Sequence, residues 1–205
     1  MMTVNRRIVA LLVMIGSFSI LTFLVWNGET NSFDVELRNW ALSLNTPTLV
    51  MLWELISVLG SVAVLSGLTF LSLTVLAMRR DWEACRQLAL VMGGAVVFNA
   101  LIKWTVHRPR PAEVYANTMP TSYSFPSGHA LFSLAFYMSV AWLVSRQSLR
   151  NWKNELWVAA VLMVASIGAS RVFLGVHYGS DVLGGYLISA AWLMLLATLT
   201  HMRIV

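Results

Sequence analysis

Long apolar runs separated by short polar segments dominate this chain, and their lengths match those of membrane spans. The hydrocarbon core of a bilayer, about 30 Å thick, requires about 20 apolar residues per helix. Six runs reach or approach that length, at residues 8–26, 49–78, 84–106, 127–144, 156–174 and 180–199. The pattern therefore predicts an all-α fold, a polytopic membrane bundle of six transmembrane helices.

Two of the runs and one polar segment add detail to this pattern. The first run follows Arg6 and Arg7 as a secretory signal would, but it is as long as a full span, and we interpret it as a retained anchor. Residues 49–78 exceed the length of one perpendicular span, so we expect that span to tilt or to begin in the headgroup region. The mixed polar segment 27–48 predicts a short amphipathic helix lying in the membrane interface.

Composition supports a membrane protein and excludes several other classes. Of the 205 residues 58% are apolar and 11% are charged, whereas about a quarter are charged in a typical soluble domain. Six spans leave no room for a second soluble domain, so residues 1–205 are expected to form a single domain. The lone Cys85 excludes an intramolecular disulfide, and no Cys-rich spacing suggests zinc.

The net charge of +5 is explained by membrane topology, because the basic residues cluster at span ends. We expect no nucleic-acid partner, and the sequence implies no obligate protein partner. With the amino terminus inside, both termini of this multi-pass cell-membrane protein are cytoplasmic. The expected cytoplasmic cations are Arg6, Arg7, Arg79, Arg80, Arg86, Arg146, Arg150, Lys153 and Arg203.

Three polar islands interrupt the apolar scaffold: Lys103 with Arg110-Pro111, the segment Pro126 to His129, and Ser170-Arg171 followed by His177 and Asp181. Six spans place the end of the third, the start of the fourth, the end of the fifth and the start of the sixth on one face. All three islands are then expected on the outer, periplasmic or extracellular side.

The third island carries the most specific chemistry. His177 and Asp181 are four positions apart, so they share a face if the sixth helix begins there. The carboxylate can then hold one imidazole nitrogen and leave the other free to attack phosphorus. In the second island, Ser127 is a candidate N-cap, Gly128 allows close backbone approach, and His129 could protonate a leaving oxygen.

The remaining cations complete a phosphate site. Lys103 offers a point charge, while Arg110 and Arg171 offer forked guanidinium groups that suit phosphate oxygens. The arrangement requires no metal and no other cofactor, and the chain has no cluster of carboxylates to hold a metal ion.

These residues resemble the three-part signature of the type 2 phosphatidic acid phosphatase (PAP2) superfamily. The matching patterns are Lys103-x6-Arg110-Pro111, Pro126-Ser127-Gly128-His129 and Ser170-Arg171-x5-His177-x3-Asp181. The resemblance implies a six-helix membrane phosphatase that works through a phosphohistidine without a metal. By that resemblance, His177 is the nucleophile, Asp181 its partner and His129 the acid. The implied phosphate-binding residues are Lys103, Arg110, Ser127, Gly128 and Arg171.

The substrate implied by the resemblance is a membrane lipid phosphate or diphosphate, with undecaprenyl diphosphate, phosphatidylglycerol phosphate and phosphatidate as candidates. A phosphotransferase with a lipid or sugar acceptor and a non-enzymatic lipid or anion transporter are the alternatives. Soluble vanadate-dependent haloperoxidases share the motifs, but six lipid-length runs argue against that branch. Glu54 is expected in the headgroup zone, and His107 is expected at the rim of the site without a catalytic role.

Overall fold

The computed structural model describes residues 4–111, 122–147 and 152–200 of the chain. Eight α-helices lie within these residues. They are α1 (Val4–Trp26), α2 (Asn31–Ser43), α3 (Pro47–Val58), α4 (Val62–Met78), α5 (Trp82–Val106), α6 (Gly128–Gln147), α7 (Lys153–Phe173) and α8 (Gly179–Leu199). Six segments in this part of the chain are long and apolar enough to cross a membrane, and α2 lies between the first and the second. The all-α fold with six spans and one short additional helix is thus confirmed.

The second apolar run differs from its expected form. Residues 49–78, which we expected to make one tilted or displaced span, contain two helices, α3 and α4, that meet at Leu59–Ser61. Ser61 begins α4 as its N-cap, with its side chain accepting a hydrogen bond from the Val64 amide at 3.3 Å. A serine that can cap a helix inside a long apolar run thus allows the chain to break there.

The break brings α3 against the bundle at Gly60. A Cβ atom at this position would collide with the side chain of Ile167 on α7 and would lie 3.3 Å from His129 Cδ2 on α6. Only a glycine permits this approach of backbone to side chain. The kink therefore belongs to the wall of the region in which the polar islands meet.

Helices α5 to α8 run alternately up and down, so the carboxyl ends of α5 and α7 meet the amino ends of α6 and α8. We call this end of the bundle the site end. Here the Ser127 amide donates a hydrogen bond to the Asp181 carbonyl at 2.9 Å. At the opposite end, the Arg7 guanidinium donates to the Ala197 carbonyl at 2.9 Å, which joins α1 to the end of α8.

The apolar side chains divide between an interior core and an outer belt. Leu88, Val91, Leu131 and Phe136 belong to a buried cluster shared by α4, α5, α6 and α8. Large apolar side chains such as Phe70, 74% exposed, cover the outside of the bundle. In water this exposed surface would be unfavourable, whereas lipid chains are suitable neighbours for it.

The cations expected on the cytoplasmic side lie away from the site end where the structure describes them. Arg79 and Arg80 follow α4, Arg86 lies in the first turns of α5, and Arg146 lies at the end of α6. Arg150 and Arg203 fall outside the described residues. One end of the bundle thus carries dispersed cations that belong to no motif, and the site end carries the motif cations together with Arg38 and Arg108.

Candidate functional site

The turn after α7 places Arg171 and His177 together. Gly175 has a φ of +69°, and its amide donates to the Val172 carbonyl at 2.9 Å while the Val176 amide donates to the Arg171 carbonyl at 3.1 Å. These two bonds define a Schellman motif, in which glycine adopts the left-handed conformation at low cost. The His177 amide also donates to the Arg171 carbonyl, at 3.2 Å, so a backbone hydrogen bond joins the two site residues directly.

The His177 imidazole lies buried between a carboxylate and a guanidinium. Its Nδ1 lies 3.3 Å from Asp181 Oδ2, and its Nε2 lies 3.0 Å from Arg110 Nη1. His177 pairs with Asp181 as predicted. The two residues do not share a helix face, however, because α8 begins at Gly179 and His177 precedes it. With Nδ1 held by the carboxylate, the lone pair of Nε2 faces the arginine.

Asp181 is fully buried and is surrounded by donors. Its Oδ2 accepts hydrogen bonds from Ser124 Oγ at 2.5 Å and from the Tyr178 amide at 2.9 Å, in addition to its contact with His177. Its Oδ1 accepts from Arg108 Nη1 at 2.7 Å. A carboxylate buried with this many donors is held in its ionised form and in one orientation.

Lys103 and Arg110 meet at one backbone oxygen. Both side chains donate to the Tyr123 carbonyl, Arg110 at 3.5 Å, and Arg110 also donates to the Val176 carbonyl at 3.0 Å. Burial lowers the pKa of Arg110 below its usual value, against the influence of Asp181, yet a guanidinium remains protonated at neutral pH. Arg110 thus connects the first motif to the imidazole of the third, and Lys103 lies beside it at the Tyr123 carbonyl.

The second motif lies where α6 begins, directly against α8. A Cβ atom on Gly185 would lie 2.7 Å from the Ser127 carbonyl oxygen, so α8 carries glycine at the closest approach. The predicted capping role of the Ser127 hydroxyl is wrong: Oγ is buried without a hydrogen-bond partner among the described residues. Arg171 Nε has the same status. The Ser127 hydroxyl and the Arg171 Nε–H are therefore both available to donate to an anion bound at the amino terminus of α6.

His129 enters the site from the first turn of α6. Its ring edge packs near the α3–α4 break at Gly60, and it lies within electrostatic range of Arg171, His177, Arg110 and Lys103. The site residues expected from all three motifs thus lie together in one partly buried region at the site end. The roles predicted for the individual residues remain predictions.

Several polar residues of the site were missed by sequence reasoning. Ser57 on α3 accepts a hydrogen bond from Arg171 Nη1, and Ser124 joins Asp181 to the backbone of Arg108 through an amide-to-carbonyl bond of 2.8 Å. The signal for Ser124 was its place three residues before Ser127, whereas nothing local marked Ser57. Single serines inside apolar helices are common, so spacing alone could not select them.

His107 and Glu54 have no catalytic role in the sequence-based prediction, and Arg108 lies within the first motif without being one of its signature positions. Arg108 is buried and contacts Asp34 and Asp181; burial lowers its pKa, but these two carboxylates outweigh that effect and raise it. His107 ends α5, and its ring contacts that of Tyr123 at a centroid distance of 4.5 Å, near the rim. Glu54 is half-buried on α3, one turn before Ser57.

The environment of His177 predicts how it titrates. Burial lowers its pKa to about 4 from 6.5, with Arg110 and Arg171 acting in the same direction and Asp181 opposing them. Because the folded state disfavours the protonated ring, this group favours folding fully above pH 6.5, and its contribution declines as the pH falls toward 4. We expect the imidazole to be neutral, and so nucleophilic, throughout the neutral and mildly acidic range.

Residue-resolved hydrogen–deuterium exchange at histidine C2, followed by mass spectrometry between pH 3 and 9, measures this pKa. The denatured protein is the control, in which His177 should titrate at about 6.5. A midpoint in the folded protein equal to that of the denatured chain would contradict the buried neutral ring.

Comparisons with known proteins give the same fold and family. The PAP2 superfamily model matches residues 84–204. Phosphatidylglycerophosphatase B of Bacillus subtilis is 28% identical over 82% of this chain and 84% of its own length. The crystal structure of a PAP2-type phosphatidylglycerolphosphate phosphatase from Bacillus subtilis matches with a TM-score of 0.86 and 25% identity, covering 95% of this chain and 98% of that one.

A more distant relative, an undecaprenyl-diphosphatase of Sulfolobus acidocaldarius, is 29% identical over 50% of this chain and 48% of its own length. The family model covers all three motifs and the helices that carry them, from α5 to α8. This chain belongs to the PAP2 superfamily.

Proposed function

We propose that this protein is a membrane phosphatase that hydrolyses the terminal phosphate of a lipid phosphate or diphosphate through a phosphohistidine on His177. The observation that carries the proposal is the two-sided environment of the imidazole. A buried carboxylate lies 3.3 Å from Nδ1, and a phosphate-binding guanidinium lies 3.0 Å from Nε2. An anion drawn to Arg110 would place its phosphorus next to the nitrogen that can attack it.

The proposed reaction has two steps. His177 Nε2 attacks phosphorus, the bond to the lipid oxygen breaks, and His129 donates a proton to that departing oxygen. His129 then removes a proton from water as the water oxygen attacks phosphorus and the P–N bond breaks, which releases inorganic phosphate. Lys103, Arg110 and Arg171 neutralise the charge on the transferring group in both steps.

The proposed substrates follow from the relatives. One is named for phosphatidylglycerol phosphate and another for undecaprenyl diphosphate. Both names denote an anionic phosphate on a long apolar tail. We therefore propose phosphatidylglycerol phosphate and undecaprenyl diphosphate as the first substrates to test, with phosphatidate as the third.

A groove beside the site supports a lipid substrate. It has a volume of about 330 Å³ and runs between α4 and α5, with Val62 at the α3–α4 break and Phe132 on α6 among its lining residues. Phe132 also lies 3.3 Å from the position that a Cβ of Gly128 would take. A tail in this groove would remain among apolar side chains while its phosphate reached the second motif.

We propose that the site opens on the outer face of the membrane. The proposal rests on the excess of arginine and lysine at the opposite end, since such residues are retained in the cytoplasm. Asn27→Cys at the site end and Arg79→Cys at the opposite end, each in a Cys85→Ser background, test it. A membrane-impermeant maleimide should label intact cells through Asn27→Cys alone, and the reverse pattern would place the site in the cytoplasm.

The function is tested by phosphate release from purified protein in detergent with EDTA present. Phosphatidylglycerol phosphate, undecaprenyl diphosphate and phosphatidate are assayed side by side, with His177→Ala as the inactive control. We expect turnover of at least one lipid without added metal, and inhibition by vanadate, which mimics five-coordinate phosphorus. Inert wild-type protein together with lipid movement that persists in His177→Ala would favour a transporter, and transfer of phosphate to an added lipid or sugar would favour a phosphotransferase.

A further inference from the structure

A buried polar cluster behind the site joins α2 to the catalytic carboxylate. Its four members are Asp34 on α2, Arg108 after α5, and Ser180 and Asp181 at the start of α8, and each is at most 7% exposed. Arg108 lies between the two carboxylates: Nη2 is 2.7 Å from Asp34 Oδ2, and Nη1 is 2.7 Å from Asp181 Oδ1. One guanidinium therefore bridges an otherwise unassigned aspartate and the partner of His177.

Asp34 is as firmly held as Asp181. Its Oδ1 accepts a hydrogen bond from the Ser180 amide at 2.9 Å, and its Oδ2 accepts from Ser180 Oγ at 2.5 Å. The Ser180 hydroxyl in turn accepts from Arg108 Nη1 at 2.7 Å. Every oxygen of this aspartate is thus bound either to Arg108 or to the residue next to Asp181.

The orientation of Arg108 is fixed from further directions. Its guanidinium lies over the ring of Tyr178 at 4.3 Å from the centroid, and its carbonyl accepts from the Ser124 amide at 2.8 Å. Ser124 is the residue whose hydroxyl donates to Asp181 Oδ2. Arg108 therefore acts on both oxygens of Asp181: directly on Oδ1, and through the position of Ser124 on Oδ2.

We propose that Arg108, anchored by Asp34, is a positioning residue that holds the Asp181 carboxylate with Oδ2 aimed at His177 Nδ1. The proposal rests on the proposed function, in which His177 is the nucleophile. Among the described residues, the Arg108 guanidinium forms its hydrogen bonds with the Asp34 and Asp181 carboxylates and their neighbours and none with the imidazole, so it acts through Asp181. Asp34 extends the same role to α2, a helix that contributes no residue to the three motifs.

The physical reason is electrostatic and geometric. Two buried carboxylates that share one guanidinium repel one another, and Arg108 provides the positive charge that offsets this repulsion. Without that charge one carboxylate must take up a proton or turn away. Asp181 would then lose its hydrogen bond to His177 Nδ1, and the imidazole would be less well oriented and a weaker nucleophile. Lysine can restore the charge but cannot bridge both carboxylates with one planar group.

The test compares Arg108→Met, Arg108→Lys and Asp34→Asn in full-length protein, using the rate of phosphohistidine formation from radiolabelled lipid phosphate. For Arg108→Met we expect that rate and kcat to fall about 10- to 100-fold, the range found when the outer partner that orients a metal-ligating side chain is removed. KM should change little, because phosphate contacts remain. Arg108→Lys should recover part of the loss, and Asp34→Asn should fall between wild type and Arg108→Met.

Arg7→Met is the matched control, because Arg7 is equally buried but bonds to the Ala197 carbonyl at the opposite end. It should lower thermal stability and leave the phosphorylation rate per folded molecule unchanged. A merely structural role for Arg108 would give this same result, and wild-type phosphorylation rates in folded Arg108→Met would overturn the proposal. If Arg108→Met fails to fold, wild-type rates in Asp34→Asn overturn it instead. Absence of phosphohistidine in wild type would refute the proposed function itself.

Discussion

His177→Ala is expected to lower kcat by about four orders of magnitude or more, since removing a covalent nucleophile eliminates the route itself. The variant keeps Lys103, Arg110 and Arg171, so it should still bind vanadate or a lipid phosphate. Quenched-flow labelling with radioactive substrate should show an acid-labile, alkali-stable adduct in wild type and none in the variant.

His107→Ala is the matched control for this prediction. His107 lies at the same end of the bundle, with its ring against Tyr123. Because His107 has no role in the proposed reaction, we expect its removal to leave kcat within about threefold of wild type, a change in barrier of less than about 0.7 kcal/mol. Full activity of His177→Ala, or an adduct that maps to another residue, would show that the nucleophile has been misidentified.

His129→Gln is expected to make turnover sensitive to the leaving group. A general acid contributes about 10²- to 10⁴-fold when the leaving oxygen is a poor one. Hydrolysis of a lipid phosphate, which expels an alkoxide, should fall by that factor. A nitrophenyl phosphate expels a stable phenolate, and that leaving oxygen needs little protonation. The rate of phosphohistidine formation from this substrate should therefore fall by less than about tenfold.

The measurement is the ratio of the two losses, from single-turnover rates in the same detergent. The ratio cancels effects on folding or phosphate binding that are common to both substrates. Arg110→Lys is the control, because a change in phosphate binding should lower the rates with both substrates by similar factors. Equal losses for both leaving groups in His129→Gln would remove the acid role from this histidine.

The spans could be predicted because membrane insertion imposes a length and a composition on each segment. Residues 84–106 and 180–199 were placed within two residues of α5 and α8. The break at Gly60 could not be predicted, because glycine and serine are tolerated within transmembrane helices. What distinguishes this position is its contact with Ile167 on α7, a residue more than a hundred positions away.

The motif residues were identifiable because each island is local in sequence and chemically unusual in an apolar chain. The partners of Asp181 were not. Arg108 is 74 positions from Asp34, and Ser180 is 146 positions from it, so no spacing connects them. Asp34 lies within a segment expected to be amphipathic, where an acidic residue would ordinarily face water. Its complete burial depends on how α2 packs against α8, which is a tertiary property.

The kink at Gly60 has a consequence for the freedom of the His129 ring. A Cβ added to Gly60 would lie 3.3 Å from His129 Cδ2, so this edge of the imidazole faces the main chain of Gly60 with no side chain between them. Side-chain walls yield by changing rotamer, whereas a backbone wall yields only when a whole half-helix shifts. The position of α3 therefore limits the rotation of the His129 imidazole. A lipid tail that displaced α3 outward would also leave the ring less well oriented.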